Sequence, residues 1–380
     1  MKIVKGVVVT AASALALAAA GAASAATLHA GNTTVDIYGY VKLDATYDVN
    51  QSLGSESYVN LGDVLANKDA KTAAGTNGHF NMTARQSRLG FKIQNDGVTA
   101  VIEGDFYGSS TNTYRLRHAY VEWNGILAGQ TWTNFNSWND WIDSLDFDGQ
   151  AGHAGGFRQP QIRYTTAAGM GKFSISLEQP GTDINTASYA AAAGNAKNQL
   201  PDLTVKYEGS ANGLDYAVAG LVRQLKYDNN NGSSDSTNGY GVMGSVRYSM
   251  ANSGTSIMGG LTYGDGIGRY LYLTPLGDGA YVDSSGNLKT IKAWGGTLGL
   301  TQKVSATSDV NLGYGITKVD VPSSFSNTQD EKYQTVFLNY LWHPVSNLTY
   351  GVEWQHDMAR NKGGTTGSAN RLQFSTIYNF

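Results

Sequence analysis

Residues 35–48 read VDIYGYVKLDATYD, and this stretch decides the fold. Its odd positions, from Val35 to Tyr47, carry mostly apolar or small side chains, whereas its even positions, from Asp36 to Asp48, carry polar or amphipathic ones. Because successive side chains of a β-strand point to opposite faces, one face is apolar and the other polar. An ordinary strand has about 5–6 residues. This longer alternation predicts a strand that crosses a bilayer at a tilt.

The same alternation recurs to the end of the chain. It is clearest in residues 172–178, 202–208, 240–248, 310–317, 348–355 and 372–380. Short turns between the strands alternate with longer polar loops. These are predicted near residues 49–78, 108–113, 133–158, 180–200, 228–238, 265–289, 320–331 and 358–369. We therefore predict an all-β fold, a closed antiparallel transmembrane β-barrel of about sixteen strands with short periplasmic turns and long external loops.

Composition narrows the class of protein. The chain has 47 glycines and 23 tyrosines but only 6 prolines, which is typical of many strands joined by turns. Mean hydropathy is −0.28, and beyond the N-terminus no run of about 18 apolar residues occurs, which excludes a helical membrane protein. The absence of cysteine excludes disulfides, thiol catalysis and cysteine metal sites. A net charge of −3 gives no indication of nucleic-acid binding.

The first 25 residues have the pattern of a signal peptide. Lys2 and Lys5 form a basic start, residues 7–20 are apolar, and residues 23–25 read Ala-Ser-Ala, an A-x-A cleavage site. We expect Sec-dependent export and removal of residues 1–25. The barrel domain is then predicted to span residues 26–380.

The C-terminus continues the alternation up to its last residue. Leu372, Phe374, Tyr378 and Phe380 share one face of the predicted final strand. An aromatic residue at the end of the last strand resembles the signal by which outer-membrane barrels are recognised. Phe380 is therefore the expected contact for the barrel-assembly machinery.

Four stretches resemble the trimeric, sixteen-stranded bacterial porin superfamily, and the DcaP-like porins in particular. They are VDIYGYVKLDATYD (35–48), ARQSRLGFK (84–92), LRHAYVEW with GQTWTNF (within 114–135) and LDFDGQAGHAGGFRQPQIRYT (145–165). The resemblance spans the chain beyond the signal peptide. It implies a homotrimer in the outer membrane of a Gram-negative bacterium, surrounded by lipid and lipopolysaccharide. It also implies passive diffusion without a cofactor.

Porins of this kind fold their third external loop into the lumen, and the resemblance assigns that loop to residues 133–159. Trp138, Trp141 and Phe147 could pin it to the inner wall. The alternative is an ordinary solvated loop. If the third loop folds into the lumen, its candidate pore-lining residues are Asp140, Asp143, Asp146, Asp148 and Arg158.

The resemblance also implies a row of basic side chains on adjacent strands opposite this loop. Charged side chains on a barrel strand should face the lumen, because at mid-membrane they cost about 2–4 kcal/mol on the lipid side. Arginines beside an acidic loop would create a transverse field that favours small anions such as dicarboxylates. Each arginine could instead lie at the rim or in a wall salt bridge. The candidates are Arg85, Arg88, Arg115, Arg117 and Arg163, with Lys42 and Lys92 behind them.

Other functions have weaker support. The six histidines lack metal-ligand spacing, so neither a metal nor an enzyme is expected. The alternatives are a non-selective general diffusion porin, a barrel plugged by the loop near 265–289, and a phospholipase-like barrel enzyme using His118.

Overall fold

The computed structural model describes residues 26–109, 112–181, 183–186, 194–229 and 233–380. The predicted signal peptide, residues 1–25, lies outside the described residues.

Within the described residues, sixteen long antiparallel strands form the barrel wall, which confirms the predicted fold class. The strand bounds are β1 Thr33–Asp48, β2 His79–Thr83 with Arg88–Asn95, β3 Val98–Asp105, β4 Arg115–Trp123, β5 Ile126–Trp132, β6 Arg158–Ala168, β7 Gly171–Glu178, β8 Asp202–Ala211, β9 Leu214–Asp228, β10 Ser234–Ser249, β11 Thr255–Asp265, β12 Lys292–Ser305, β13 Ser308–Val319, β14 Asp330–Val345, β15 Leu348–Asn361 and β16 Thr366–Asn379. Each strand pairs with its neighbours, and β1 closes the barrel by pairing with both β16 and β2.

The remaining elements are short. An N-terminal strand, Ala26–Ala30, pairs with the start of β1. In the described residues, the loops contain one helical turn and two 3₁₀ turns, at Asp63–Ala66, Ala73–Gly75 and Gly268–Tyr270. They also contain the short strands Ile184–Asn185, Asn195–Ala196, Ala280–Val282 and Leu288–Thr290. No helix in the described part of the chain is long and apolar enough to cross a membrane.

Exposure alternates along the strands in the sense expected of a barrel in lipid. On β1, Val41 is 58 % exposed, whereas the adjacent Lys42 is 2 % exposed. Apolar side chains thus cover the outside, and polar side chains line the lumen. Two apolar clusters inside the lumen lie beneath loops, one around Phe135 and Tyr270 and one around Leu53 and Val64.

Several periplasmic turns have the tight hairpin form. Asp96-Gly97, Asn124-Gly125 and Asn212-Gly213 each place two consecutive residues at positive φ, between 47° and 80°. This is the type I′ geometry, which matches the twist of antiparallel strands and favours Asn-Gly and Asp-Gly.

Two of the predicted long loops are wrong. Only residues 229–233 connect β9 to β10, and only residues 362–365 connect β15 to β16. Polar sequence near 228–238 and 358–369 belongs largely to strands, for example where Tyr227 pairs with Asp235. Strand ends that extend past the apolar belt can be polar on both faces while main-chain pairing continues.

A β-bulge between β3 and β4 determines which side chains of β4 point into the lumen. The pairing shifts between Glu103 and Gly104, so that Asp105 lies opposite Arg115 and Glu103 lies opposite His118. Two consecutive residues, Arg117 and His118, are therefore both buried on the inner side.

Candidate pore constriction

The third external loop comprises residues 133–157 between β5 and β6, and it lies inside the lumen. Its bonds to the far wall come from several strands. Lys42 Nζ on β1 donates to the Leu145 carbonyl at 2.8 Å, and the Leu145 N–H donates to Glu353 on β15 at 2.9 Å. Thr297 on β12 donates to Asp140 at 2.8 Å. The loop therefore crosses the lumen and reduces its open section.

Aromatic rings fix the middle of this loop. Trp138 packs edge-on against Trp132 of β5, with ring centroids 5.0 Å apart, and against Trp141 at 5.3 Å. Phe147 stacks on Tyr107 at 5.2 Å. The three aromatic residues singled out from the sequence therefore all pack within the lumen.

Two of the loop aspartates hold the loop rather than face the arginines, contrary to the expected arrangement. Asp140 is 4 % exposed and lies 3.2 Å from His153, and Asp146 is 4 % exposed. Asp146 accepts backbone N–H bonds from Val59, Asp148 and Gly149 at 2.9, 2.8 and 3.1 Å. A buried loop must satisfy its own N–H groups, and these carboxylates lie nearest to them. Burial alone would raise the pKa of Asp140, but His153 holds it below its ordinary value.

Asp143 and Asp148 are more accessible. Asp143 is half-buried, and its carbonyl accepts a bond from Asn339 at 2.8 Å. Asp148 is also half-buried and accepts a 2.6 Å bond from the Tyr272 hydroxyl. Burial raises the pKa of Asp148, and the charges of Arg115 and Arg158 act in the opposite direction. Asp148 is therefore the loop carboxylate that faces Arg115 of β4 and Arg158 of β6.

Three arginines of β2 and β4 share two acidic residues of β3. Arg115 binds Asp105 through two bonds, at 2.9 and 2.7 Å. Arg117, 2 % exposed, lies 3.1 Å from Glu103 and 2.8 Å from Asp105. Arg88 lies 3.4 Å from Glu103. The sequence-predicted arginines are thus brought together, with carboxylates between them.

Arg85 and Lys42 have partners outside this group. Arg85 pairs with Glu56 of the first loop and lies 4.7 Å from the Tyr107 ring. Lys42 is 2 % exposed, and Gln86 and the third loop accept its bonds. Lys42 is therefore an anchor for the loop and not a surface of the passage.

Arg158, Arg163 and Lys92 have no ion pair within the described residues. The Arg158 guanidinium stacks over Trp132 at 4.3 Å, within the electrostatic range of Arg88, Arg115 and Arg117. Arg163 and Lys92 are half-buried and lie nearer the periplasmic ends of β6 and β2. These cations remain available to a solute.

Sequence reasoning missed the acidic partners. Glu56, Glu103 and Asp105 were not among the candidates, although each pairs with an arginine. For Glu103 and Asp105 a signal existed, because the hairpins β2–β3 and β3–β4 bring them between the arginines. Tyr272 arrives from a distant loop, and no local pattern indicates its contact with Asp148.

A polar cavity of about 220 Å³ adjoins the loop end of this region. Tyr58, Asn60, Asp148 and Leu273 are among its lining residues. It lies between the first loop, the third loop and the loop after β11.

The position of His118 bears on the phospholipase-like alternative. His118 lies on the inner side, 2.9 Å from the Thr131 hydroxyl, and not on the lipid-facing wall that a phospholipase-like site requires. No group of three or more histidine or acidic residues in the described ranges could hold a metal ion.

Comparisons with known proteins agree with this fold. The chain matches the model of the DcaP outer membrane protein family over residues 10–380. The outer membrane channel DcaP of Acinetobacter baumannii superposes with a TM-score of 0.79, at 24 % identity, covering 93 % of this chain and 99 % of that one. An anion-selective porin from Comamonas acidovorans gives a TM-score of 0.57 at 13 % identity, covering 92 % and 100 %.

OmpT of Vibrio cholerae gives a TM-score of 0.55 at 13 % identity, covering 94 % of this chain and 100 % of that one. At these identities, the structural matches show the fold alone. No curated protein sequence matches the chain. The family match confirms the resemblance to the DcaP-like porins. The chain therefore belongs to the DcaP outer membrane protein family and resides in the outer membrane of a Gram-negative bacterium.

Proposed function

We propose that this barrel is a passive channel for small hydrophilic solutes, with a preference for small anions such as dicarboxylates. The observation that carries the proposal is the position of Arg158. Its guanidinium lies over Trp132, among Arg88, Arg115 and Arg117, without an ion pair in the described part of the chain. A planar guanidinium can bind a carboxylate through two parallel hydrogen bonds.

The charge balance of the arginine cluster on the wall formed by β2–β6 supports the same preference. Within this cluster five arginines meet four carboxylates, which leaves one positive charge. Asp105 and Glu103 already bond to Arg115 and Arg117, so the surplus resides on Arg158. The groups counted are Arg85, Arg88, Arg115, Arg117, Arg158, Glu56, Glu103, Asp105 and Asp148.

The family membership supports a proposal for the assembly. We infer a homotrimer surrounded by outer-membrane lipid and lipopolysaccharide, and a trimeric form of Vibrio cholerae OmpT is among the similar structures. Residues 1–25 would be removed on Sec-dependent export. Phe380 would serve as the signal for the barrel-assembly machinery. Its N–H donates to the Gly39 carbonyl at 3.0 Å, and it thus lies at the seam where the barrel closes.

Planar-bilayer recording of the purified protein tests the proposal. We expect stepwise conductance, a reversal potential on the anion side under a salt gradient, and current blocking by added dicarboxylates. Arg158→Gln should remove most of the anion preference, because it removes the unpaired charge. Lys226→Gln, on the outer surface, is the matched control and should behave as the wild type.

A double variant separates anion selection from general diffusion. Arg88→Ala with Arg117→Ala leaves Glu103 without an arginine partner and Asp105 with Arg115 alone, and should shift the reversal potential toward cations. Unchanged reversal potentials in both variants would contradict anion selection and leave a general diffusion porin. Folded protein without conductance would instead indicate a plugged barrel.

A further inference from the structure

Three basic residues form a row across neighbouring strands near the external rim. Lys318 of β13 lies directly opposite Lys332 of β14, and Lys332 lies directly opposite Arg360 of β15. Directly opposed positions on antiparallel strands have Cβ atoms about 4.5–5.5 Å apart. The three cations therefore form a continuous basic strip, which we call the rim row.

The rim row faces outward. Lys318, Lys332 and Arg360 follow the same alternation as Leu312, Leu338 and Val352, which are 46 %, 46 % and 52 % exposed on the lipid side. The residues beside the row point inward and are buried: Thr317 is 0 %, Tyr333 7 % and Ala359 3 % exposed. None of the three cations therefore belongs to the pore.

The height of the rim row corresponds to the lipid headgroups of the outer leaflet. Outward-facing Trp342 lies near the periplasmic end of β14, and Lys332 lies near its external end. At about 3.3 Å per residue and a tilt of about 40°, the ten residues between them rise about 25 Å. The apolar band of such barrels is also about 25 Å tall, so Lys332 lies at its outer edge.

The row keeps a positive charge that the protein does not neutralise. Arg360 pairs with Glu331 at 3.1 Å. Lys318 and Lys332 have neither an ion pair nor a side-chain hydrogen bond within the described residues, and Lys292 is exposed at the nearby end of β12. Asp320 lies two residues after Lys318 and Asp330 lies two residues before Lys332, and Asp330 accepts a hydrogen bond from the Tyr333 hydroxyl. Like charges placed directly opposite destabilise a sheet, so an anionic partner would relieve their repulsion.

Most of the outward side chains beneath the row are apolar, with Gln334 and His356 as the polar exceptions. The next outward positions along the strands are Ile316, Gln334 and Met358, and the ones after these are Tyr314, Val336 and His356. A ligand with a phosphate at the rim and an acyl chain below it would match this order. Free phosphate would use only the cations.

We propose that the rim row binds the phosphate groups of lipopolysaccharide in the outer leaflet. The inference deepens the lipopolysaccharide contact included in the proposed function by assigning it to residues, and it does not depend on what the pore conducts. Lys318 and Lys332 contact the phosphates, Arg360 extends the strip, and the acyl chains lie along β13–β15.

Binding of purified rough lipopolysaccharide to the detergent-solubilised full-length protein tests the site, in EDTA so that divalent cations cannot form bridges. We expect the double variant Lys318→Gln with Lys332→Gln to bind at least tenfold more weakly than the wild type. The matched control is Lys226→Gln with Lys289→Gln, which removes two lysines elsewhere on the exterior and should bind normally. Wild-type protein should also bind dephosphorylated lipopolysaccharide at least tenfold more weakly.

Three results would overturn the assignment. These are wild-type affinity in the rim-row variant, equal loss in both double variants, and equal binding of dephosphorylated lipopolysaccharide. Competition by millimolar inorganic phosphate would identify a free-phosphate site instead. Conductance of the rim-row variant should equal that of the wild type, which verifies its folding and keeps this test separate from that of the pore.

Discussion

The two sides of the lumen use the same kind of residue for different purposes. On the wall formed by β2–β6, Arg158 is unpaired within the described residues, and Arg88, Arg115 and Arg117 bind carboxylates of their own wall. On the wall formed by β14–β16, Arg371 and Glu353 are completely buried and bind the main chain of loops one and three. The role of an inward polar residue therefore depends on whether a loop packs on it.

The physical reason lies in the loops. A loop folded into the lumen carries N–H and carbonyl groups that need partners once water is displaced. Arg371 donates to the carbonyls of Gly54, Glu56 and Tyr58, and Glu353 accepts from two consecutive N–H groups of the third loop. The wall formed by β14–β16 thus supplies partners for the main chain of the loops, whereas Arg158 on the opposite wall has no ion pair within the described residues.

The largest effect is expected from Arg371→Ala. Arg371 is 0 % exposed and lies 2.6 Å from Asp48, which is equally buried. Removing one partner of a buried ion pair costs about 3–5 kcal/mol, and here the first loop also loses its donor. We expect higher single-channel conductance and rapid tryptic cleavage after Lys68 and Lys71. Arg360→Ala, on the exterior, is the control, and equal protease resistance of both variants would contradict the anchoring role.

Glu353→Ala should have the next largest effect. The third loop would lose acceptors for the Leu145 and Asp146 N–H groups, which now bond at 2.9 and 3.1 Å. Hydrogen bonds to charged groups contribute about 1.5–3 kcal/mol each. We therefore expect a detached loop tip and about a twofold increase in conductance, measured in planar bilayers. Asp309→Asn, on the neighbouring strand β13, should leave the conductance unchanged, and a normal conductance in Glu353→Ala would refute this anchor.

Sequence reasoning succeeded where the pattern is local. Alternation in residues 35–48 predicts β1 with its lipid and lumen faces, and the concentration of arginines between 85 and 163 predicts where cations gather. It failed where contacts depend on distant segments or on a register shift. The bulge at Glu103 and Gly104 turns both Arg117 and His118 inward, and strict alternation cannot anticipate that.

The loop aspartates illustrate the second limit. Composition alone makes Asp140, Asp143, Asp146 and Asp148 look equivalent. Only the folded loop shows that Asp146 caps three N–H groups while Asp148 reaches Tyr272. Their roles depend on how the loop packs, which no spacing in the sequence encodes.

A smaller effect should follow from acidification. Burial raises the pKa of Asp148 above the ordinary value of about 4, so this carboxylate takes up a proton at a higher pH than an unperturbed aspartate does. Loss of its negative charge leaves the arginines less compensated, and anion preference should rise. Asp148→Asn should show the higher preference already at neutral pH and lose this pH dependence. Exposed Asp283, whose pKa is lowered by backbone N–H bonds from Asn287, provides the control Asp283→Asn. An unaltered pH profile in Asp148→Asn would assign the titration elsewhere.

The smallest effect is expected from Arg163→Gln. Arg163 lies five residues from Arg158 along β6, roughly 16 Å toward the periplasm, and the carboxylates of Glu178, Glu122 and Glu208 partly offset its charge. At 0.1 M salt the Debye length is about 10 Å, so the two arginines act almost independently; at 0.01 M it is about 30 Å and their fields overlap. The Arg163→Gln variant should therefore change the reversal potential at 0.1 M by less than about half as much as Arg158→Gln does. At 0.01 M the change caused by Arg163→Gln should be larger. An effect equal to that of Arg158→Gln at both salt concentrations would mean that selection is distributed along the whole wall and not concentrated at the third loop.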